Sequence, residues 1–304
     1  MPTVYPPQPA TISGDLITVN RLINYPTLIQ RALRTLVQQR LIGDRLLTGR
    51  VDLTGTGAVN YEQSEAIMAN NLAERVGPLG EYPTTTDGTA VSAIASTEKW
   101  ALAMEISDEL VARNRIDLVN RRMVKLANRI AFGFDALILS AIASQVTQTS
   151  AAVAAWSTTS ADPFQDIAVA ATIPDSLNQG YEVDTIVADP IHWARLISAA
   201  KVIERAPREG SDTLLVTGRL AVIAGLTVLK TTNLPSGVTV MALDSRVLGS
   251  VGYEDLGGGY VGSPDEVQSK RFRLDNEDGW RVQARRVGVP LVQEPGAAVK
   301  ITGA

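Results

Sequence analysis

The sequence predicts an α+β fold for this chain of 304 residues, which is long enough to bury a substantial core. Three observations lead to this prediction. An apolar stripe with helical spacing runs through residues 119–141. Short apolar runs bounded by turn residues follow, and the clearest buried-type strand is 184–188. Residues 271–285 then have the pattern of a β-hairpin. Together these patterns favour one long helix accompanied by several short strands.

The composition excludes several classes of function. The chain has no Cys and a single His, so one chain cannot build a thiol nucleophile, a Cys/His zinc site or a multi-histidine metal centre. His192 is interpreted as structural, because no partner pattern accompanies it. Residues 257–262 are interpreted as a flexible turn rather than a phosphate loop, and 275–279 as a hairpin turn rather than a calcium loop. We therefore expect no enzyme activity, catalytic residue, metal or cofactor.

Residues 1–58 are predicted to form an arm with a helix at 25–41. The arm holds six arginines up to position 50 against two aspartates, a local charge of +4, whereas the other 254 residues carry −8. Its apolar content is too small for a core of its own, so its helix needs a partner surface. The arginines can neutralise nucleic-acid phosphates or pair with acids of neighbouring chains, and both interpretations stay open.

Residues 59–103 are predicted to form a long two-stranded excursion. One strand leaves at 59–62 and another returns at 100–106, where apolar residues alternate. Such a hairpin buries too little apolar area to be stable alone, so another surface is expected to hold it.

The long helix is predicted to open at Ser107, whose hydroxyl precedes Asp108 and Glu109. If the helix is continuous over 108–143, it spans roughly 54 Å. A break at 114–117, with Asp117 as a second cap, is the alternative.

The second half of the chain is predicted to contain a compact α/β unit. Residues 144–161 are rich in Ala, Ser and Thr and are interpreted as a linker or exposed loop. Two Asp-Pro pairs are predicted to cap helices. The other predicted elements are the strands 184–188, 226–229, 238–243 and 297–301 and the hairpin 271–285.

The order of these segments resembles the major capsid proteins of tailed bacteriophages, which have the Hong Kong 97 fold. The residues that carry the resemblance are Lys99 to Leu110, Asp184 to Pro190 with Trp193, Leu220 to Val228 leading to Asn233-Leu234-Pro235, and Arg285 to Val289. The resemblance implies five segments. They are an N-terminal arm (1–58), an E-loop (59–103), a P domain with a spine helix (104–160), an A domain (161–262) and C-terminal P-domain strands (263–304).

The resemblance implies a capsid protein that assembles with itself into hexamers and pentamers of an icosahedral head around double-stranded DNA. Scaffolding, portal and decoration proteins would be further partners, and DNA contact would be weak and non-specific. The virion capsid would be its location, after assembly in the host cytoplasm. The N-terminus lacks a secretory signal, and no apolar run is long enough to cross a bilayer, so no membrane partner is expected.

The intersubunit contacts are expected in the E-loop and the arm. The candidates are Tyr61, Ile67, Met68, Leu72, Arg31 and Arg34. Some members of this family join subunits through an E-loop lysine, but residues 1–98 contain no lysine and Lys99 lies on the returning strand. No isopeptide cross-link is therefore expected. The alternatives are an encapsulin-like compartment that holds cargo enzymes and an α/β enzyme built on 162–260.

Overall fold

The computed structural model describes residues 42–64, 68, 71–85, 91–113, 116–205 and 222–304. The predicted helix at 25–41 lies outside these residues. The helices are α1 (Gly43–Leu46), α2 (Asp108–Ala112), α3 (Ile116–Gln145), α4 (Pro163–Asp175), α5 (Pro190–Ser198), α6 (Ala200–Arg205) and a 3-10 turn at Pro295–Ala297. The first strands are β1 (Gly49–Asp52), β2 (Ala58–Gln63), β3 (Val91–Ser96), β4 (Glu98–Ser107), β5 (Thr149–Ala151) and β6 (Thr185–Ala188). The later strands are β7 (Val222–Ile223), β8 (Leu226–Lys230), β9 (Val240–Leu243), β10 (Gly249–Tyr253), β11 (Gln268–Leu274), β12 (Gly279–Val292) and β13 (Ala298–Thr302).

The described residues fall into two compact units. The first is formed by residues 99–131 and 257–286. In it, β11 and the first part of β12 make an antiparallel hairpin whose register runs from Gln268 opposite Arg285 to Leu274 opposite Gly279. Strand β4 also pairs with β12. The hairpin predicted from the sequence is thereby confirmed.

The second unit is built around a six-stranded sheet with the order β5-β13-β9-β6-β8-β7. Its central strand β6 is fully buried and pairs in parallel with β8 and antiparallel with β9. Helices α4 and α5 contribute Ile167 and Leu196 to the core beside this sheet. Strand β5 comes from the segment 104–160 and β13 from the segment 263–304, so the sheet is built from more of the chain than 161–262 alone.

The two Asp-Pro pairs cap helices as the sequence predicts. The Asp162 side chain accepts a hydrogen bond from the backbone N–H of Gln165 at 3.2 Å, before α4. The Asp189 side chain accepts from the backbone N–H of His192 at 2.6 Å, before α5. In both helices Pro occupies the first position, where its missing N–H is not needed.

The long helix is interrupted, and Asp117 is not its cap. Helix α2 ends at Ala112 and α3 begins at Ile116, so Asp117 is already the second residue of α3. Ser107 precedes α2 but makes no side-chain bond to the helix backbone. Its hydroxyl instead bonds the Glu109 carboxylate and thereby lowers the pKa of that group.

The pairing predicted for the excursion is wrong. Strand β2 leaves as predicted, but it pairs antiparallel with β3, whereas the predicted returning strand is part of β4 and pairs with β12. Strand β3 has the sequence VSAIAS, and its small residues give little hydrophobic signal. The alternating apolar pattern of residues 100–106 is the stronger strand signal, and it favours the incorrect partner for β2.

Two further segments are more integrated than their sequences predict. In the predicted arm, Leu46 and Leu47 are fully buried in the core beside α3, and β1 pairs in parallel with β10. In the predicted linker at 144–161, β5 pairs with β13, and Trp156 is buried. The Trp156 indole donates to Asp166 at 2.9 Å. The bond gives the buried indole N–H a hydrogen-bond partner. The Ala-, Ser- and Thr-rich composition of the segment gives no sign of this burial.

Candidate assembly surfaces

The hairpin of β2 and β3 is anchored at its base. Its ladder runs from Ala58 opposite Ser96 to Gln63 opposite Val91. The backbone N–H of Thr97 donates to the carbonyl oxygen of Gly57 at 2.9 Å, and the Thr97 hydroxyl bonds the Glu254 carboxylate. These bonds tie the beginning and the end of the hairpin to each other and to the segment after β10.

The far end of the same ladder is also held. The Gln63 side-chain amide donates to the carbonyl oxygen of Val292 at 2.8 Å and to the Gln145 side chain at 2.7 Å. The next backbone N–H, at Ser64, donates to the carbonyl oxygen of Gln293 at 3.0 Å. The paired strands are therefore fixed over their whole length, and the chain beyond Ser64 starts from a defined position.

Tyr61 packs within its own chain. The buried residues Leu53, Val289 and Leu291 form a small apolar cluster, and side chains of β2 and β3 cover it. The covering residues that are partly buried include Val59, Tyr61 and Ala95. Only a part of the Tyr61 side chain is therefore accessible to another subunit.

Beyond this anchored base, apolar side chains are exposed. The side chain of Leu72 is 90% exposed and that of Met68 is 61% exposed. Leu79 and Tyr82 of the same loop are also exposed, and so is Ile94 on strand β3. The remaining contact candidates, Arg31, Arg34 and Ile67, lie outside the described residues.

Charged side chains of the first unit form a network around the β11–β12 turn. The Arg273 guanidinium donates to Asp108 at 2.6 Å and also faces Asp275 at 3.5 Å and Asp278 at 3.9 Å. The hydrogen bond from Arg273 lowers the pKa of Asp108. Arg281 pairs with Glu105 of β4 in the same unit. These pairs are solvent-exposed, so we expect them to contribute orientation more than stability.

Asp135 is a buried carboxylate that the sequence reasoning missed. It lies on α3, is 1% exposed and accepts hydrogen bonds from the backbone N–H groups of Ile42 at 2.9 Å and Gly43 at 2.7 Å. Its second oxygen accepts from the Asn233 side-chain amide at 2.7 Å. One carboxylate thus fixes the start of α1 and the loop after β8 to the same helix. The available signal was a lone acid in the otherwise apolar run of residues 130–139.

His192 has structural partners. Its Nδ1 atom lies 2.7 Å from Asp189, and its Nε2 atom lies 3.0 Å from the carbonyl oxygen of Ala304. The ring also makes an edge contact with Trp156, with the ring centroids 6.2 Å apart. Both ring nitrogens are therefore engaged in the packing of α5.

The glycine turn after β10 is closed by two cations. Arg285 donates to the carbonyl oxygen of Gly257 and Lys270 to that of Gly258, each at 2.7 Å. In a phosphate loop the backbone N–H groups would instead point at the anion.

Within the described ranges, no group of His, Asp and Glu side chains is arranged to hold a metal ion. No helix of the described residues is both long and apolar enough to span a membrane.

Comparison with known proteins identifies a family and a fold. A family model described as phage capsid protein matches residues 89–301. No curated protein matches the chain by sequence.

Among solved structures, the capsid of the cyanophage P-SCSP1u is similar, with a TM-score of 0.62 and 15% sequence identity. The similarity covers 87% of this chain and 88% of the other. A structure from Microbacterium phage Oxtober96 has a TM-score of 0.60, 14% identity and coverage of 86% and 90%. A virus-like particle from Pyrococcus furiosus has a TM-score of 0.59, 10% identity and coverage of 90% and 97%.

Proposed function

The chain belongs to the phage capsid protein family and has the Hong Kong 97 fold, which makes it a structural protein of a phage virion. From this premise we propose that it is the major subunit of an icosahedral head, that it assembles into hexamers and pentamers, and that the shell encloses double-stranded DNA. We also propose that it has no enzyme activity and assembles in the host cytoplasm. Scaffolding, portal and decoration proteins are its proposed further partners.

The exposed apolar loop between β2 and β3 is the observation that carries this proposal. Leu72 is 90% exposed although both strands beside the loop are fixed by ladder and side-chain bonds. An exposed group of large apolar side chains on a soluble protein is typical of a surface that another molecule covers. In a shell of identical subunits, that molecule is a neighbouring copy. Met68, Leu72 and the accessible part of Tyr61 are the proposed contacts.

Several modest contacts per subunit are enough for such a shell. Each subunit both presents a loop and receives one, so closure of a ring makes every further contact effectively intramolecular. Arg31, Arg34 and Ile67 are proposed to add to these contacts. For the two arginines, acids of a neighbouring copy and DNA phosphates are both proposed partners.

Shortening the loop tests the proposal. Gln63 and Val91 lie directly opposite each other, so residues 64–90 can be replaced by Asn-Gly, which favours a two-residue hairpin turn. The variant keeps the strands and the core beneath them, and circular dichroism checks that it folds. We expect light scattering and electron microscopy to find monomers or single capsomers instead of shells. Shells of normal size from this variant would overturn the assigned role of the loop.

A compartment that holds cargo enzymes is the second candidate. The fold likeness to the Pyrococcus furiosus virus-like particle is compatible with it. The contents of purified particles distinguish the two functions. Nuclease-protected double-stranded DNA supports the phage head, whereas a stoichiometric co-purifying enzyme without DNA supports the compartment.

A further inference from the structure

The first half of α3 is unusually basic for this chain. Residues 116–131 contain four Arg or Lys residues and one Asp, a charge of +3, whereas the whole chain carries −4. Three of the cations, Arg122, Lys125 and Arg129, have the spacing i, i+3 and i+7, which places them on one face of the helix. The row that they form is about 10 Å long at a rise of about 1.5 Å per residue. We call these three residues the basic row.

The basic row is accessible. Lys125 and Arg129 are exposed and Arg122 is half-buried, while Leu126 and Ile130, on the adjoining face of the helix, are buried. One guanidinium nitrogen of Arg122 donates to the carbonyl oxygen of Glu105 at 2.6 Å. This bond fixes the Arg122 side chain, and it neutralises none of the positive charge because its acceptor is a carbonyl group.

The density of charge in the row indicates what it binds. Duplex DNA offers about one negative charge per 1.7 Å of its axis, so a straight row of about 10 Å faces several phosphates at once. The acidic loop of a neighbouring copy is a poorer match. Between residues 58 and 98 it has six carboxylates in 41 residues, and no two of them are adjacent in sequence.

We propose that Arg122, Lys125 and Arg129 of α3 bind the phosphate backbone of double-stranded DNA without reading its sequence. This inference rests on the proposed enclosure of DNA and names the surface that meets it. Because the chain as a whole is negatively charged, the contact is weak, local and sensitive to salt.

Salt-dependent DNA binding tests the proposal. The unassembled full-length chain is titrated with a random-sequence duplex at several salt concentrations, as wild type and as the double variant Lys125→Gln and Arg129→Gln. Each neutralised phosphate contributes about 0.9 to the slope of log affinity against log salt, so the variant is expected to lose about 2 from that slope. A charge-conserving variant, Lys125→Arg with Arg129→Lys, is expected to keep the wild-type slope.

The matched control is the double variant Arg75→Gln and Lys99→Gln. It removes the same charge from two exposed positions outside the basic row, and its slope is expected to stay within about 0.5 of the wild type. An equal loss of slope in control and test variants, or no loss in either, would overturn the proposal. Unchanged DNA binding together with lost shell formation would instead assign the basic row to a contact between subunits. Failure of the wild-type chain to form shells would count against the proposed function and leave the DNA measurement valid.

Discussion

Asn233 donates its side-chain amide to Asp135 over 2.7 Å, although the two residues lie 98 positions apart. The loop after β8 and the helix α3 are therefore joined by one partly buried hydrogen bond. The same carboxylate accepts from the first backbone N–H groups of the segment that leads into α1. Three parts of the second unit thus depend on a single side chain.

Asp135→Ala is expected to destabilise the second unit strongly. The substitution leaves three donors without their acceptor, and of these the backbone N–H of Gly43 is in a buried hydrogen bond. An unpaired buried donor costs about 1–3 kcal/mol. We expect the free energy of unfolding to fall by about 1–3 kcal/mol, measured by urea denaturation of the unassembled chain. Asp135→Asn retains an oxygen acceptor and is expected to cost less. Ser140→Ala, at an exposed position of the same helix, is the control and is expected to be nearly neutral.

Acid is expected to destabilise the turn after β9 through Asp244. This aspartate is 1% exposed, and burial alone would raise its pKa. Hydrogen bonds from Arg246 and from the backbone N–H of Glu182 outweigh burial and lower the pKa below its ordinary value of 3.8. Because the folded-state pKa is the lower one, the stabilisation is present above that ordinary value and is lost as the pH falls through the folded-state pKa.

The substitution Arg246→Gln is expected to shift the acid-induced loss of stability to a higher pH. The substitution removes the cation that lowers the pKa of Asp244 and leaves the burial that raises it. We expect stability of the unassembled chain, followed by thermal melting at a series of pH values, to decline at a higher pH in the variant than in the wild type. Coincident pH profiles would show that the backbone N–H donors alone hold Asp244 ionised.

Leu72→Ser is expected to impair assembly without changing the stability of the subunit. Leu72 is 90% exposed, so the substitution removes little buried area from the monomer. The particle yield, measured by sedimentation, is expected to fall at least several-fold. Val153→Ser changes another apolar side chain, 74% exposed and outside the E-loop, and is the matched control. Equal yields from Leu72→Ser and the wild type would argue against a contact at this position.

Assembled particles are expected to dissociate into single chains on a denaturing gel. Lys99 is the first lysine of the chain and lies on β4, outside the loop between β2 and β3. No E-loop lysine before it is available to form an amide bond with a neighbouring subunit. One band at 32.4 kDa is therefore expected, and a ladder of multimers would contradict this expectation.

Local chemistry explains which elements could be predicted. The Asp-Pro pairs at 162–163 and 189–190 carry both the capping side chain and the ring that starts a helix, so the two helix starts were predicted correctly. The β11–β12 hairpin is also local, because its turn and both strands lie within 25 residues. Such elements depend mainly on residues that are close in sequence.

Partner choice could not be predicted in the same way. Strand β2 pairs with β3 and β4 pairs with β12, but only contacts between distant residues distinguish these pairings from the alternative. The hydrogen-bond partners of Asp135 could not be predicted from the sequence for the same reason. A lone acid in an apolar helix indicates a buried partner, but the sequence does not say that the partners are Ile42, Gly43 and Asn233.

The charge of the E-loop has a consequence for the newly made chain. Leu72, Leu79 and Tyr82 are open to water, next to the exposed carboxylates of Glu74 and Glu81. Two such loops repel each other, because residues 58–98 carry six acids against one arginine. Exposed apolar side chains are less prone to cause aggregation when the loops that carry them repel each other. The negative charge of the loop is therefore expected to protect the unassembled chain from non-specific aggregation.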